Sequence, residues 1–235
     1  VDQGEMRVGG MMAFLQYAMH IMFSLIMISF MFIMIPRAEA SAVRINEVLD
    51  LVPDIKDPEK TKQPDSKRGL VEFKNVTFSY PGAEEPAVSN ISFTAGPGEV
   101  TAIIGGTGSG KSTLINLIPR FYDVDNGSIL IDGVDVREMS QEDLRAKIGL
   151  VPQKAVLFTG TIAQNIRYGK EDATDEEVRH AAEIAQATEF ITGMKDGFAS
   201  VIAQGGANIS GGQKQRLSIA RALVRKPEIY IIDDA

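Results

Sequence analysis

The sequence has no cysteine, which excludes disulfides and thiolate metal sites and leaves the redox compartment unread. It also lacks an excess of positive charge. The formal net charge is −7, whereas a general nucleic-acid binder presents a basic face, so nucleic acid is not an expected partner. There is no internal repeat and no low-complexity tract. One long stretch lacks charge altogether: Met11 to Ile35, "MMAFLQYAMHIMFSLIMISFMFIMI", holds no Lys, Arg, Asp or Glu. As a helix of about 25 residues it spans roughly 37 Å, more than the ~30 Å hydrocarbon layer of a bilayer. It is too long for a signal-peptide core, and no basic leader or small-residue cleavage pattern flanks it. The competing reading is a buried helix of a large soluble protein. Gln16, His20, Ser24 and Ser29 recur about every four residues and share a face. In a membrane bundle that face looks toward other helices or a water-filled path. A packed, hydrogen-bonded His20 is the simpler role than a substrate contact.

What is present is otherwise ordinary for a folded chain. Its 235 residues suffice for one large domain plus an appendage, with 44% hydrophobic and 23% charged residues. It begins at Val1 rather than Met and ends inside an apparent strand, which reads as an internal piece of a longer polypeptide. Pro36 and Arg37 close the apolar run, and "RAEASAVRINEVLDLV" reads as an amphipathic helix. Residues 1–49 therefore form a membrane helix and its extension. Residues 50–69, rich in proline and charge, form a linker. From Leu70 an α/β pattern begins. "LVEFKNVTFSY" alternates as a strand pair or edge ribbon. "EVTAIIGG", "SILIDG", "KIGLVPQ" and "EIYIIDD" read as short strands alternating with helices, which predicts a largely parallel sheet. Thr174 with Glu177 predicts a capping box, and Ser140 opens another helix.

The chemistry concentrates in "GGTGSGKST": Gly105, Gly106, Thr107, Gly108, Ser109, Gly110, Lys111, Ser112 and Thr113. The stretch fits G-x-x-x-x-G-K-[ST], follows an apolar strand pattern and opens a helical one. Glycines let the backbone wrap phosphates, and the helix N-terminus adds positive potential. Lys111 neutralises the outer phosphates, and Ser112 offers a hydroxyl to Mg²⁺. Composition does not separate ATP from GTP. A second glycine-rich helix start follows in "ISGGQKQRLSIARAL", with Ser210, Gly211, Gly212 and Gln213, a further candidate anion site.

The two stretches together, with Asp233 shortly after them, resemble the nucleotide-binding domain of ATP-binding-cassette (ABC) transporters over residues 70–235. The implied fold is an α/β P-loop NTPase with a mostly parallel core, an antiparallel β edge and a helical subdomain at roughly 154–225, preceded by one transmembrane helix. The resemblance implies ATP and Mg²⁺ as cofactors. By it, Gly105 to Thr113 hold the triphosphate and Tyr80 stacks on adenine. Ser112 and Gln153 lie at Mg²⁺, with Asp233 reaching it through water. Ser210 to Gln213 would close over a partner's ATP, because two such domains meet head to tail. An apolar run directly before the domain resembles exporter-type half-transporters, whose last membrane helix enters from the outer face. That places the protein in the cell membrane with its ATPase in the cytoplasm, exporting a small molecule, lipid or peptide.

The chain departs from the family pattern in two places. Asp234 stands where the general base or water-orienting residue is usually Glu, and "SVIAQGGANIS" departs from the Glu-and-Arg-bearing stretch common in homodimeric exporters. These departures resemble one half of a heterodimeric multidrug exporter whose own ATP site hydrolyses slowly. Alternatives are a homodimer with Asp234 as a working base, a soluble ABC regulatory module, and an unrelated P-loop kinase or GTPase.

Overall fold

The computed structural model describes residues 8–64 and 68–233. It divides after Asp54 into two units. The first unit carries one helix, α1 (Val8–Leu49), of 42 residues with none buried. By length and composition α1 can cross a membrane. It continues past Pro36, where the apolar run closes, without a break. The apolar run and the amphipathic stretch are thus one helix. Proline removes one backbone donor and crowds the preceding turn, which a long helix can absorb locally. The hydroxyls of Ser24 and Ser29 donate to the carbonyls of His20 and Leu25, so on this face they serve the helix's own backbone.

The second unit starts with an antiparallel sheet. β1 (Val71–Phe78) lies between β2 (Val88–Ala95) and β3 (Asn126–Ile131), and β4 (Val134–Asp135) pairs with β3. β1 is therefore central rather than an edge ribbon. Its buried residues are Val71, Phe73, Val76 and Phe78, which breaks strict alternation by one residue. The break is a bulge: Asn75 has φ of 50°, and the register shifts between Phe73 and Val76. The extra residue keeps both halves of the strand facing the same core. Opposite it sits Gly127 with φ of 81°, where a Cβ would lie 2.3 Å from the Lys74 carbonyl oxygen. Only glycine fits that turn without displacing backbone. Phe73 and Phe93 stack at 4.5 Å between centroids, worth about 1 kcal/mol beyond their burial.

After α2 (Lys111–Leu117) and α3 (Gln141–Ala146), β5 (Ile148–Val151) pairs in parallel with the last strand, β8 (Ile229–Ile232). This separate two-stranded sheet is the parallel pairing among the described residues, and β3, read from sequence as part of a parallel sheet, is antiparallel. The predicted strand before the phosphate loop also differs. Residues 99–106 form no strand, and Val100 and Ile104 are 98% and 91% exposed. A β-rich run becomes a strand only when another strand pairs with it, and among the described residues none pairs with this one. Lys147 sets the start of the parallel pair. Its ammonium reaches Glu228 at 2.7 Å and the buried Asp132 at 3.2 Å. Burial pushes the Lys147 pKa down, but its bonds to Glu228 and Asp132 outweigh that and raise it.

Between β5 and β8 come β6 (Gly160–Thr161), α4 (Ile162–Arg167), α5 (Asp175–Ile184), α6 (Thr188–Thr192), β7 (Val201–Ile202) and α7 (Gly211–Leu223). Their apolar residues, among them Ile162, Ile166, Ile191, Ile202 and Leu217, form a second buried cluster apart from the sheet core. The predicted cap of α5 is present: Thr174 and Glu177 exchange side-chain and backbone bonds. Glu177 also receives Lys226 and Lys170, and with the Thr174 amide they hold its pKa down at about 2, from an ordinary 4.5. A depressed carboxylate stabilises the fold above its unfolded pKa and loses that contribution as pH falls through its folded pKa. Unfolding by urea between pH 5 and pH 2.5 should therefore show a stability loss that Glu177→Gln flattens. An unchanged slope in the variant would contradict the role given to these ion pairs.

Candidate functional site

The phosphate loop follows residues 99–104 and closes on α2. Gly110 caps α2 with φ of 85°, and a Cβ there would lie 2.8 Å from the Ala87 carbonyl oxygen. The loop thus leans directly on the residue before β2, and glycine is needed both for the dihedral and for the approach. Lys111 curls back over the loop. Its Nζ donates to the carbonyls of Gly105 and Gly106, both at 2.8 Å. An ammonium has three donors, so one remains for an incoming anion while two hold the loop's shape. The Ser109 amide donates to Gly106 O and the Leu114 amide to Gly110 O, joining the loop to the first turn of the helix.

Two predicted site residues far apart in sequence meet here. Ser112 Oγ donates to Asp233 Oδ1 at 3.4 Å. Asp233 is held by its own amide, which donates to Val151 O and extends the parallel pairing of β5 and β8. A hydroxyl and a carboxylate side by side are hard oxygen donors of the kind Mg²⁺ prefers. Tyr80 is anchored at the same loop. Its hydroxyl lies 3.1 Å from Thr113 Oγ1, and its ring meets Phe78 and Tyr122 edge-on. Sequence reasoning singled out Tyr80 but missed Tyr122, which carries no spacing signal and reaches the site only through the turn after α2.

Gln153 lies two residues after β5, and the preceding Pro152 carbonyl accepts a long bond, 3.4 Å, from Gln215 Nε2. The second glycine-rich stretch opens α7. Ser210 is its N-cap: the Ser210 side chain accepts from the Gln213 amide, and Gln213 Oε1 accepts from the Ser210 amide. Gly211 and Gly212 lie in the first turn and are exposed, with open space where a Cβ would sit. Ser210 and Gln213 bond to each other, and Ser210 O accepts from the Lys214 amide, so these bonds stay within the first turn of α7. Asp234, the predicted base, lies outside the described residues.

Comparison with known proteins agrees with this geometry. The family model described as ABC transporter matches residues 88–235. An uncharacterised ABC transporter ATP-binding protein of Mycobacterium tuberculosis is 47% identical over all of this chain, which spans 41% of that relative. The ATP-dependent lipid A-core flippase of Desulfotalea psychrophila is 47% identical over 83% of the chain and 34% of the flippase. The solved structure of a bacterial Atm1-family ABC exporter with ATP bound superposes with a TM-score of 0.78 at 37% identity, over 85% of this chain and 35% of the exporter. This chain therefore spans well under half the length of these relatives. A phosphate loop braced by its own lysine, a strand-end aspartate brought to its serine, and a family match over more than half its residues identify the chain as a member of the ABC transporter family, carrying its ATP-binding domain.

Proposed function

We propose that this chain is the last membrane helix and ATP-binding part of an exporter half-transporter, working with a second half in the cell membrane. The observation that carries the reading is the joining, in one chain, of an apolar helix long enough to span a bilayer to an ATP-binding domain. The relatives support it, because an exporter and a lipid A-core flippase are among them. Residues 154–225 are the helical subdomain, supported by their separate apolar core. ATP sits on Gly105 to Thr113 with adenine on Tyr80. Ser112 and Gln153 would hold Mg²⁺, with Asp233 reaching it through water, and the ion would supply charge neutralisation at the phosphates. Lys111 fixes the phosphate tail, and Tyr80, fastened at Thr113, orients the base. Ser210 to Gln213 face the partner's nucleotide, and the partner is a different half. This chain's own site turns over slowly because Asp234 is short.

The test uses the full-length protein with its partner half in lipid vesicles. ATP should draw the two ATP-binding domains together, as read by distance-dependent fluorescence. Ser210→Ala should abolish that closure while nucleotide still binds at Lys111. Closure that persists in the variant would remove the exporter reading of the second glycine-rich stretch.

A further inference from the structure

α7 does more than present Ser210 at its start. Near its other end Arg221 points back into the protein and is half-buried. Its Nε donates to Asn165 O at 2.9 Å, its Nη1 to Val156 O at 2.8 Å, and its Nη2 to Asn165 Oδ1 at 3.1 Å. All three acceptors are neutral. The guanidinium also lies over the rings of Phe158 and Tyr168, at 5.5 and 5.9 Å, and these rings stack on each other at 4.4 Å. Asn165, 1% exposed, completes the unit: it exchanges bonds with the Phe158 backbone and donates to Thr161 O. Burial pushes the Arg221 pKa down, yet an arginine stays charged at any physiological pH. Desolvating a charge without a carboxylate partner is costly, and the three carbonyl-type acceptors and two ring faces offset that cost.

The position of this cluster gives it meaning. The segment it grips begins at Val156, three residues after Gln153. On the other side of Gln153, the Pro152 carbonyl is held by Gln215, one and a half turns earlier on the same helix. The loop carrying Gln153 is therefore bracketed by two side chains of α7.

We infer that Arg221 and Gln215 are positioning residues that fix the Gln153 loop to α7, so that the loop at this chain's ATP and the glycine-rich stretch at the partner's ATP move as one piece. The inference rests on the reading of Ser210 to Gln213 given above. Arginine is required because one planar fork must reach Val156 O and Asn165 O together. A lysine ammonium keeps the charge but not the fork.

The test is steady-state ATPase of the full-length transporter pair, with nucleotide affinity at the Lys111 site followed by a fluorescent ATP analogue. Arg221→Lys should lower kcat about tenfold, leaving KM and analogue affinity within about twofold. Wild-type kcat in Arg221→Lys would overturn the inference, because charge alone would then suffice. A joint fall of kcat, affinity and melting temperature would overturn it too, as the mark of a merely structural role. If Arg221→Lys does not fold, Gln215→Ala, at a half-buried position, decides: a kcat fall of about threefold at constant KM supports the bracket, and an unchanged kcat overturns it. Ser210→Ala is measured alongside. If it leaves ATPase intact, the reading of the glycine-rich stretch fails; if it abolishes ATPase while both α7 variants behave as wild type, only the bracket fails.

Discussion

Lys111→Ala is expected to weaken ATP binding at this chain's site by on the order of 100-fold or more, with little change in fold stability. A charge-assisted hydrogen bond is worth about 1.5–3 kcal/mol, and each ~1.4 kcal/mol is tenfold in affinity. One such bond to phosphate, together with the lost charge against an anionic tail, accounts for the expected loss. The fold should tolerate the change because the carbonyls that Lys111 holds, those of Gly105 and Gly106, lie on the exposed loop and can turn to water. Lys111→Arg should bind almost as poorly. A planar fork does not fit where a compact ammonium bridges two carbonyls at 2.8 Å each. Equilibrium binding of a fluorescent ATP analogue to the full-length protein checks both variants, with a thermal melt as control. Wild-type affinity in Lys111→Ala would contradict the assignment of this loop to the triphosphate.

The parts of this site that were legible in the sequence are those whose signal is local. The phosphate loop combines glycine spacing, a lysine and a helix start within nine residues. The start of α7 is read from the glycine-rich stretch at Ser210, and the cap of α5 from Thr174 and Glu177, three apart. The long apolar helix is read from an absence of charge. What stayed hidden depends on partners distant along the chain. Period-two alternation marks β1 as a strand but does not say that β2 and β3 flank it, nor that β3 runs antiparallel. The short β-branched run "EVTAIIGG" predicted a strand that residues 99–106 do not form. Arg221 sits inside a stretch that was read for its glycines. Its acceptors Val156 and Asn165 lie 65 and 56 residues away, and no spacing rule reaches that far.

Asp234→Glu is expected to raise hydrolysis at this chain's own site on the order of 100-fold, and this is the largest gain the proposed function predicts. The carboxylate that orients the attacking water has to lie within hydrogen-bond reach of it, and a shortfall of one methylene, about 1.5 Å, costs roughly that factor. The neighbouring geometry leaves little room for the backbone to make up the difference. Asp233 is fixed at both ends, by its amide on Val151 O at 2.9 Å and by its carboxylate against Ser112 at 3.4 Å. β8 is locked to β5 in register from Ile229 to Ile232, so the strand cannot slide the next residue forward without breaking four pairings. A longer side chain is the simplest remedy. The measurement is single-turnover ATPase of the full-length pair with the partner's own base removed, so that only this site reports. A rate unchanged by Asp234→Glu would mean that aspartate already serves, as in a homodimer with two working sites. In the intact pair, Asp234→Ala should leave most of the turnover and the partner's base substitution should remove it. The reverse outcome would assign hydrolysis to this chain and end the asymmetric reading, while leaving the proposed ATP site at Lys111, Ser112 and Asp233 untouched.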